Sequence, residues 1–254
     1  MKDILSRANR DALARFARTR VLLAFDFDGT LAPIVRDPAR ALMRPATRRL
    51  LARLARLYPC VVISGRARAD VLQRVRTTGV RTVIGDHGME PWDAPGEPRR
   101  EVRRWARFLR QKLERWRGVT VEEKRYSVSV HYRGARRKRE ARAAVLRTAA
   151  ILRPVRMIGG KDLVNLLPQA AIHKGVALER EQIRRRCRTA IYVGDDDTDE
   201  DVFASGDADR LLAIRVGARR ASRAPYFVRS QTRIDALLRA LIALRNGPGS
   251  FRCD

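Results

Sequence analysis

The sequence predicts an α/β protein: a parallel sheet covered by helices and interrupted by an inserted α+β domain. Three observations predict it. Short continuous apolar runs at Val21–Phe25, Cys60–Ile63 and Ala190–Val193 alternate with segments of helical spacing. That style stops after Glu90 and returns after Pro168. Between them, residues 126–132 alternate polar and apolar, as half-buried antiparallel strands do.

Taken in order, residues 3–18 read as an amphipathic helix with Leu5, Ala12, Leu13 and Phe16 on one side. Val21–Phe25 is a buried strand. Leu50, Leu51, Leu54 and Leu57 mark a helix over 46–58, and Ser64-Gly65 stops the strand Cys60–Ile63. A helix through Asp70–Val75 and a strand at Thr82–Ile84 follow. The stretch 91–98 holds three prolines and a glycine and reads as a linker. Trp105, Phe108, Leu109 and Trp116 place a helix at 100–116; strands at 119–123 and 126–132, a basic helix at 136–152 and a hairpin over 155–167 complete the insert. On one face of the strand 126–132 lie Val128 and Val130; the other carries Ser127, Ser129 and His131, a face expected to be solvated. A helix opens near Lys174, strands recur at 190–193, 212–216 and 226–228, and a last helix spans 232–245. The expected division is a sheet domain made of 1–92 and 169–254, with 93–168 inserted.

At 254 residues the chain is long for one domain and comfortable for two of roughly 100–200 residues each. Hydrophobic residues make up 45%, enough for a core and against wholesale disorder. No apolar run approaches the roughly 20 residues of a membrane-spanning helix, and the charged N-terminus has no signal-peptide pattern. Cys60, Cys187 and Cys253 fit neither a disulfide framework nor a zinc site, which points to a reducing cytoplasm. The net charge of +27 suggests a polyanionic partner. Yet 49 of the 55 cations are arginines spread over nearly every helix, as a GC-rich coding sequence gives.

Four segments carry chemistry, each at a strand end or helix start, where open α/β sheets bind ligands. In Asp26-Phe-Asp-Gly-Thr-Leu31, Asp26 can serve as nucleophile and metal ligand, while Asp28 can reach a leaving-group oxygen as acid and base. Gly29 permits the tight turn. In Ser64-Gly65-Arg66 a hydroxyl and a backbone N–H suit a phosphate oxygen. Lys174 can neutralise phosphate and aspartate. Finally, 195–201 (DDDTDED) packs six acids into seven positions of a strongly cationic chain. A helix dipole explains two or three of these; six need a cation, and hard carboxylates suit Mg²⁺.

In this order the four segments resemble the haloacid dehalogenase (HAD) superfamily, and the likeness implies a Rossmann-like core with a C2-type cap, Mg²⁺ and a phospho-aspartyl intermediate on Asp26. It implies that Asp28 protonates the leaving alcohol and then activates water, and that Ser64 and Lys174 hold the phosphoryl group. The metal set it implies is Asp26, Asp28, Asp195 and Asp199, the last acting through water. DFDGTLAPI (26–34), ISGR (63–66), GDHGME (85–90), HYR (131–133) and GDDDTDEDVF (194–203) resemble the trehalose-6-phosphate phosphatase family more closely, over about 20–245. That implies a cap which closes over the sugar, with Lys124, His131 and Arg133 toward the disaccharide phosphate and His87 and Glu90 at the core–cap seam. It also implies a functional link to a trehalose-phosphate synthase, a monomer, and no membrane or nucleic-acid partner. One departure bears on the sugar: where the family usually carries a glutamate and a basic residue, this chain has Asn165 and Leu167. Asn165 can still hydrogen-bond the sugar, but without charge.

Two alternatives remain open at this point. One is a phosphatase for another glycosyl phosphate, such as sucrose phosphate or a glycosyl phosphoglycerate. The other is a nucleic-acid-binding protein, supported by the +27 charge and the basic run 133–147; no helix-turn-helix, zinc or RRM signature accompanies it.

Overall fold

The computed structural model describes residues 1–35, 37–91, 97–160, 162–169 and 172–247. Residues 92–96 of the expected linker, and Cys253, lie outside the described residues; Cys60 and Cys187 are buried free thiols. In chain order the strands are β1 (Lys2–Asp3), β2 (Val21–Phe25), β3 (Cys60–Ile63), β4 (Thr82–Ile84), β5 (Thr120–Glu123), β6 (Val128–His131), β7 (Val155–Gly160), β8 (Leu163–Pro168), β9 (Thr189–Gly194), β10 (Leu211–Val216) and β11 (Tyr226–Val228). The α-helices are α1 (Arg10–Ala17), α2 (Pro45–Leu54), α3 (Arg68–Val75), α4 (Glu97–Leu113), α5 (Lys138–Ala149), α6 (Lys174–Arg184), α7 (Glu200–Ser205) and α8 (Ile234–Asn246).

The chain divides into two compact units, Met1–Gly88 with His173–Asp254, and Met89–Ile172. In the first, seven strands run parallel in the order β1-β11-β10-β9-β2-β3-β4. Val21, Leu23 and Phe25 bury into one apolar cluster with Phe16 of α1, Leu51 and Leu54 of α2, and Leu237, Leu238 and Leu241 of α8. Leu22 and Ala24, equally buried, face the opposite side by strand alternation. Burial on both faces is why these strands read as unbroken apolar runs. From β2 the chain steps outward through β3 and β4; from β9 it steps the other way through β10 and β11. Strand order therefore reverses between β2 and β9, and a crevice opens beyond their carboxyl ends. Phe25 pairs with Val193 there, and the Asp26 N–H donates to the Val193 carbonyl at 2.8 Å.

The N-terminus departs from the expected helix over 3–18. Lys2 and Asp3 instead add a parallel strand to β11, with the Lys2 and Ile4 N–H groups donating to Pro225 and Phe227. Asp3 then turns the chain by accepting from the Leu5 N–H, and α1 begins only at Arg10.

The second unit is a four-stranded antiparallel sheet, β5-β6-β8-β7. Val128, Val130, Val164 and Leu166 pack on Val102, Trp105 and Leu109 of α4 and on Ala141 and Val145 of α5. The opposite face is not solvated as expected. Ser127 and Ser129 are fully buried, and the Ser129 hydroxyl donates to Asn165 Oδ1 across the strand pair at 2.6 Å. The pair gives the buried Ser129 hydroxyl and the Asn165 carbonyl oxygen a partner in each other.

Candidate active site

Asp26 and the acidic segment leave the adjacent ends of β2 and β9, which brings them into the crevice. Three carboxylates meet there: one oxygen each from Asp26, Asp195 and Asp199 lies within 4.8 Å of the others. Lys174, the first residue of α6, enters from beside them with its side chain 1% exposed. Its ammonium donates to Asp26 Oδ1 at 2.9 Å and to Asp199 Oδ1 at 2.8 Å, and stands 3.9 Å from Asp196. His173 holds the helix start by accepting the Gly175 N–H on Nδ1, a capping role.

Burial dominates the electrostatics. It pushes Asp195 up to about 8 and Asp199 up to about 6, with neighbouring aspartates adding to the shift. Asp26 is raised well above the ordinary carboxylate range by the same desolvation, which Lys174 only partly offsets. At Asp196 burial acts upward, but Lys174 and the Thr198 hydrogen bonds outweigh it and hold the group at about 2. Desolvation opposes the charge on Lys174, yet Asp199 and Asp26 raise its pKa above the ordinary value. Two buried carboxylates, Asp26 and Asp199, with the half-buried Asp195 and Asp196 beside them, thus share one ammonium. That charge deficit, met by hard oxygen donors within one ion's reach, fits a divalent cation such as Mg²⁺.

The acidic segment is also held from behind. The Asp196 carboxylate accepts from the Thr198 N–H and hydroxyl and from the Asp199 N–H, folding the segment into a turn. Tyr192 donates its phenol to Asp199 at 2.6 Å. The buried Arg215 guanidinium donates to the Asp195 carbonyl, to the Asp196 carbonyl at 3.2 Å and to Glu200 at 2.8 Å, while Arg219 pairs with Asp197. Sequence reasoning missed Tyr192 and Arg215, and marked Asp196 only as one of the six acids of 195–201. A charge inside the otherwise apolar strand Leu211–Val216, and a phenol inside Ala190–Val193, were the available signals.

Gly29 sits at φ +80°, and a Cβ there would overlap the Asp195 carboxylate, so the turn after Asp28 has room for no side chain. Thr30 Oγ1 donates to Asp195 at 3.3 Å. Asp28 is not among the clustered carboxylates; both its oxygens accept from Arg66, at 2.6 and 2.8 Å. Ser64 is buried at the end of β3, where its hydroxyl accepts the Arg66 N–H at 3.2 Å. Gly65 gives way to the buried His87 ring, whose Cε1 would lie 2.5 Å from a Cβ. Asp86 and His87 both take positive φ, 44° and 59°, in a turn fastened to Arg66 and Ser64 through their N–H groups.

The remaining expected site residues belong to the second unit. His131 Nε2 pairs with Glu122 at 2.8 Å, the Lys124 N–H closes a turn onto the Ser127 carbonyl, and Arg133 follows β6. Asn165 is buried against Ser129, Leu167 is buried, and Glu90 is half-buried.

A parallel sheet with aspartates at its switch point, a lysine bridging them and an antiparallel insert is an HAD-type α/β fold. Residues 24–232 match the trehalose-phosphatase family model, and the chain belongs to that family. It is 38% identical over 194 residues to the trehalose-phosphate phosphatase of Mycobacterium tuberculosis, covering 70% of this chain and 49% of that protein. With the Mycobacterium ulcerans protein of the same name it shares 36% over 199 residues, covering 72% and 51%. The chain thus spans about half the length of these curated relatives. Among solved structures, the C-terminal domain of Candida albicans trehalose-6-phosphate phosphatase superposes with a TM-score of 0.79 at 21% identity, covering 93% of this chain and 98% of that one. An Aspergillus fumigatus trehalose-6-phosphate phosphatase gives 0.61 at 25%, covering 95% and 99%. Among the described residues no helix is long and apolar enough to cross a membrane.

Proposed function

We propose that this chain is a Mg²⁺-dependent phosphatase that hydrolyses trehalose 6-phosphate to trehalose and phosphate. One observation carries the reading: a fully buried lysine bridges Asp26 and Asp199 at the switch point of the sheet. Asp26 attacks phosphorus, and the bond to the bridging oxygen breaks with its electron pair on that oxygen. Asp28 delivers the proton that completes the alcohol. Water then attacks the aspartyl phosphate while the Asp28 carboxylate takes its proton, and the Asp26 carboxylate is restored. Lys174 and Ser64 hold phosphoryl oxygens through both steps. Asp26, Asp195 and Asp199 are the residues that would hold Mg²⁺, which when bound neutralises charge on the phosphoryl oxygens.

Sugar recognition falls to the second unit, to Lys124, His131, Arg133 and Asn165, together with Glu90; His87 borders the phosphate site beside Gly65. The enzyme works as a cytoplasmic monomer on the product of a trehalose-phosphate synthase. A phosphate-release panel over trehalose 6-phosphate, sucrose 6-phosphate and a glucosyl phosphoglycerate tests this, run with Mg²⁺ and with EDTA. Fastest release from trehalose 6-phosphate, abolished by EDTA, is expected. Preference for another sugar overturns the substrate, and undiminished release in EDTA overturns the metal.

A further inference from the structure

Arg66 turns its guanidinium back onto Asp28, with Nε on Oδ2 at 2.6 Å and Nη2 on Oδ1 at 2.8 Å. Among the described residues no other side chain hydrogen-bonds this carboxylate. The fork fixes both the position and the plane of the group, which a single donor cannot do. Arg66 is in turn held from α3: Nη1 donates to Asp70 Oδ2 at 2.8 Å, and Nη2 also reaches the Pro38 carbonyl at 2.7 Å. The second oxygen of Asp70 accepts from Arg74 Nε at 2.9 Å. Arg74 spends its remaining donors on the Ala41 carbonyl at 2.5 Å and the Ala39 carbonyl at 3.2 Å. The chain Asp28–Arg66–Asp70–Arg74 therefore alternates in charge, and its two arginines pin the segment Pro38–Ala41 that follows the nucleophile loop.

We propose that Asp70 is a positioning residue for the second chemical step: it seats Arg66, which presents Asp28 as an oriented carboxylate to the water that attacks the aspartyl phosphate. The inference rests on the phosphatase reading, which gives Asp28 that task. Asp70 is one helical turn away from Arg66 and touches no reacting atom, so an i,i+4 ion pair of purely structural value is the alternative. The two differ in what they do to the intermediate. In the step itself, a water oxygen bonds to phosphorus, the bond from phosphorus to the Asp26 oxygen breaks with its electrons returning to Asp26, and Asp28 takes the proton. Loosening Asp28 slows this step, and phosphoenzyme accumulates. A structural defect only reduces the amount of active enzyme.

Rapid-quench turnover of p-nitrophenyl phosphate in Mg²⁺ separates them, because p-nitrophenolate leaves without needing a proton. Asp70→Asn keeps the side-chain shape. It is expected to lower steady-state turnover about 10-fold, within the range that misplacement by about 1 Å produces. The fraction of enzyme trapped as phospho-Asp26 should rise several-fold, as should the p-nitrophenol burst. Arg74→Lys, which leaves Asp70 less firmly anchored, should do the same to a smaller degree and serves where Asp70→Asn does not fold. In metal-free protein, both variants should speed amide exchange over Asp37–Ala41. Lower turnover with an unchanged or smaller trapped fraction overturns the proposal, as does unchanged turnover. Failure of the phosphatase reading looks different: neither wild type nor Asp28→Asn would then trap any phospho-Asp26.

Discussion

Lys174 donates to Asp199 at 2.8 Å from a position where neither side chain touches solvent, and the same ammonium reaches Asp26 at 2.9 Å. A buried lysine is tolerated because burial is opposed by two carboxylates in contact; the carboxylates are tolerated because of the lysine. The bridge ties the start of α6 to the end of β2 and to the start of α7, so it is a fold contact at the centre proposed for catalysis.

Lys174→Met should therefore cost stability as well as activity. Removing one partner of a buried pair leaves uncompensated charge, about 3–5 kcal/mol. Urea unfolding in EDTA is expected to show a loss of that order, with Mg²⁺ restoring part of it by supplying a cation to Asp26 and Asp199. Equal stability of wild type and variant in EDTA would contradict a charged bridge.

The raised carboxyls set a pH dependence with a definite sign. Without metal, the folded chain holds protons on Asp199 up to about pH 6 and on Asp195 up to about pH 8, both shifted first by burial. The unfolded chain releases them near the ordinary 3.8. Their contribution is fully present below that value and is lost as pH rises through 6 and then 8. Melting of EDTA-treated protein should fall across this window and flatten when Mg²⁺ occupies the carboxylates. A melting temperature that rises from pH 6 to 8.5 in EDTA would refute the shifts.

Much of this centre is legible in the sequence because its residues sit where apolar runs stop. Asp26 follows Phe25, Ser64 follows Ile63, and Asp195 lies one residue past Val193-Gly194, so strand ends and motifs mark each other. What sequence could not give are contacts between segments distant along the chain. Arg66 reads as part of a substrate-binding Ser-Gly-Arg segment, yet its guanidinium is turned to a carboxylate 38 positions earlier. Arg215 reaches back 19 positions to the Asp196 carbonyl. The N-terminal helix pattern lost its first turns to pairing with β11, where backbone hydrogen bonds outweigh local amphipathicity. Ser127 and Ser129 show the same limit: alternation assigns a face, and only packing decides whether water sees it.

The buried Ser129–Asn165 pair can be tested by removing one side of it. Asn165→Leu leaves the Ser129 hydroxyl without its acceptor across β6 and β8, at a cost of about 1–3 kcal/mol. Ser129→Ala in the same background removes the orphaned donor and should recover most of the loss. Thermal denaturation of the two singles and the double measures the coupling, and strictly additive losses would show that the pair contributes no shared energy.

Arg215 offers a test of how the acidic segment is shaped. Its guanidinium takes the carbonyls of Asp195 and Asp196 together with Glu200, all from one buried position. Two of these contacts are to backbone carbonyls and the third is an ion pair with Glu200, so their effect is on where the Asp195 carboxylate points rather than on its charge. Lysine can supply the charge but not the planar fork, and Arg215→Lys should keep the fold while letting the turn relax. Groups that orient metal ligands are worth about 10–100-fold in affinity when removed. Calorimetric titration with Mg²⁺ is expected to show weakening in that range for Arg215→Lys. Arg229→Ala should leave Mg²⁺ binding unchanged, since Arg229, just past β11, makes an exposed ion pair with Asp3 of the edge strand β1. Equal weakening in both variants would mean that net positive charge, not the geometry of the turn, governs the site.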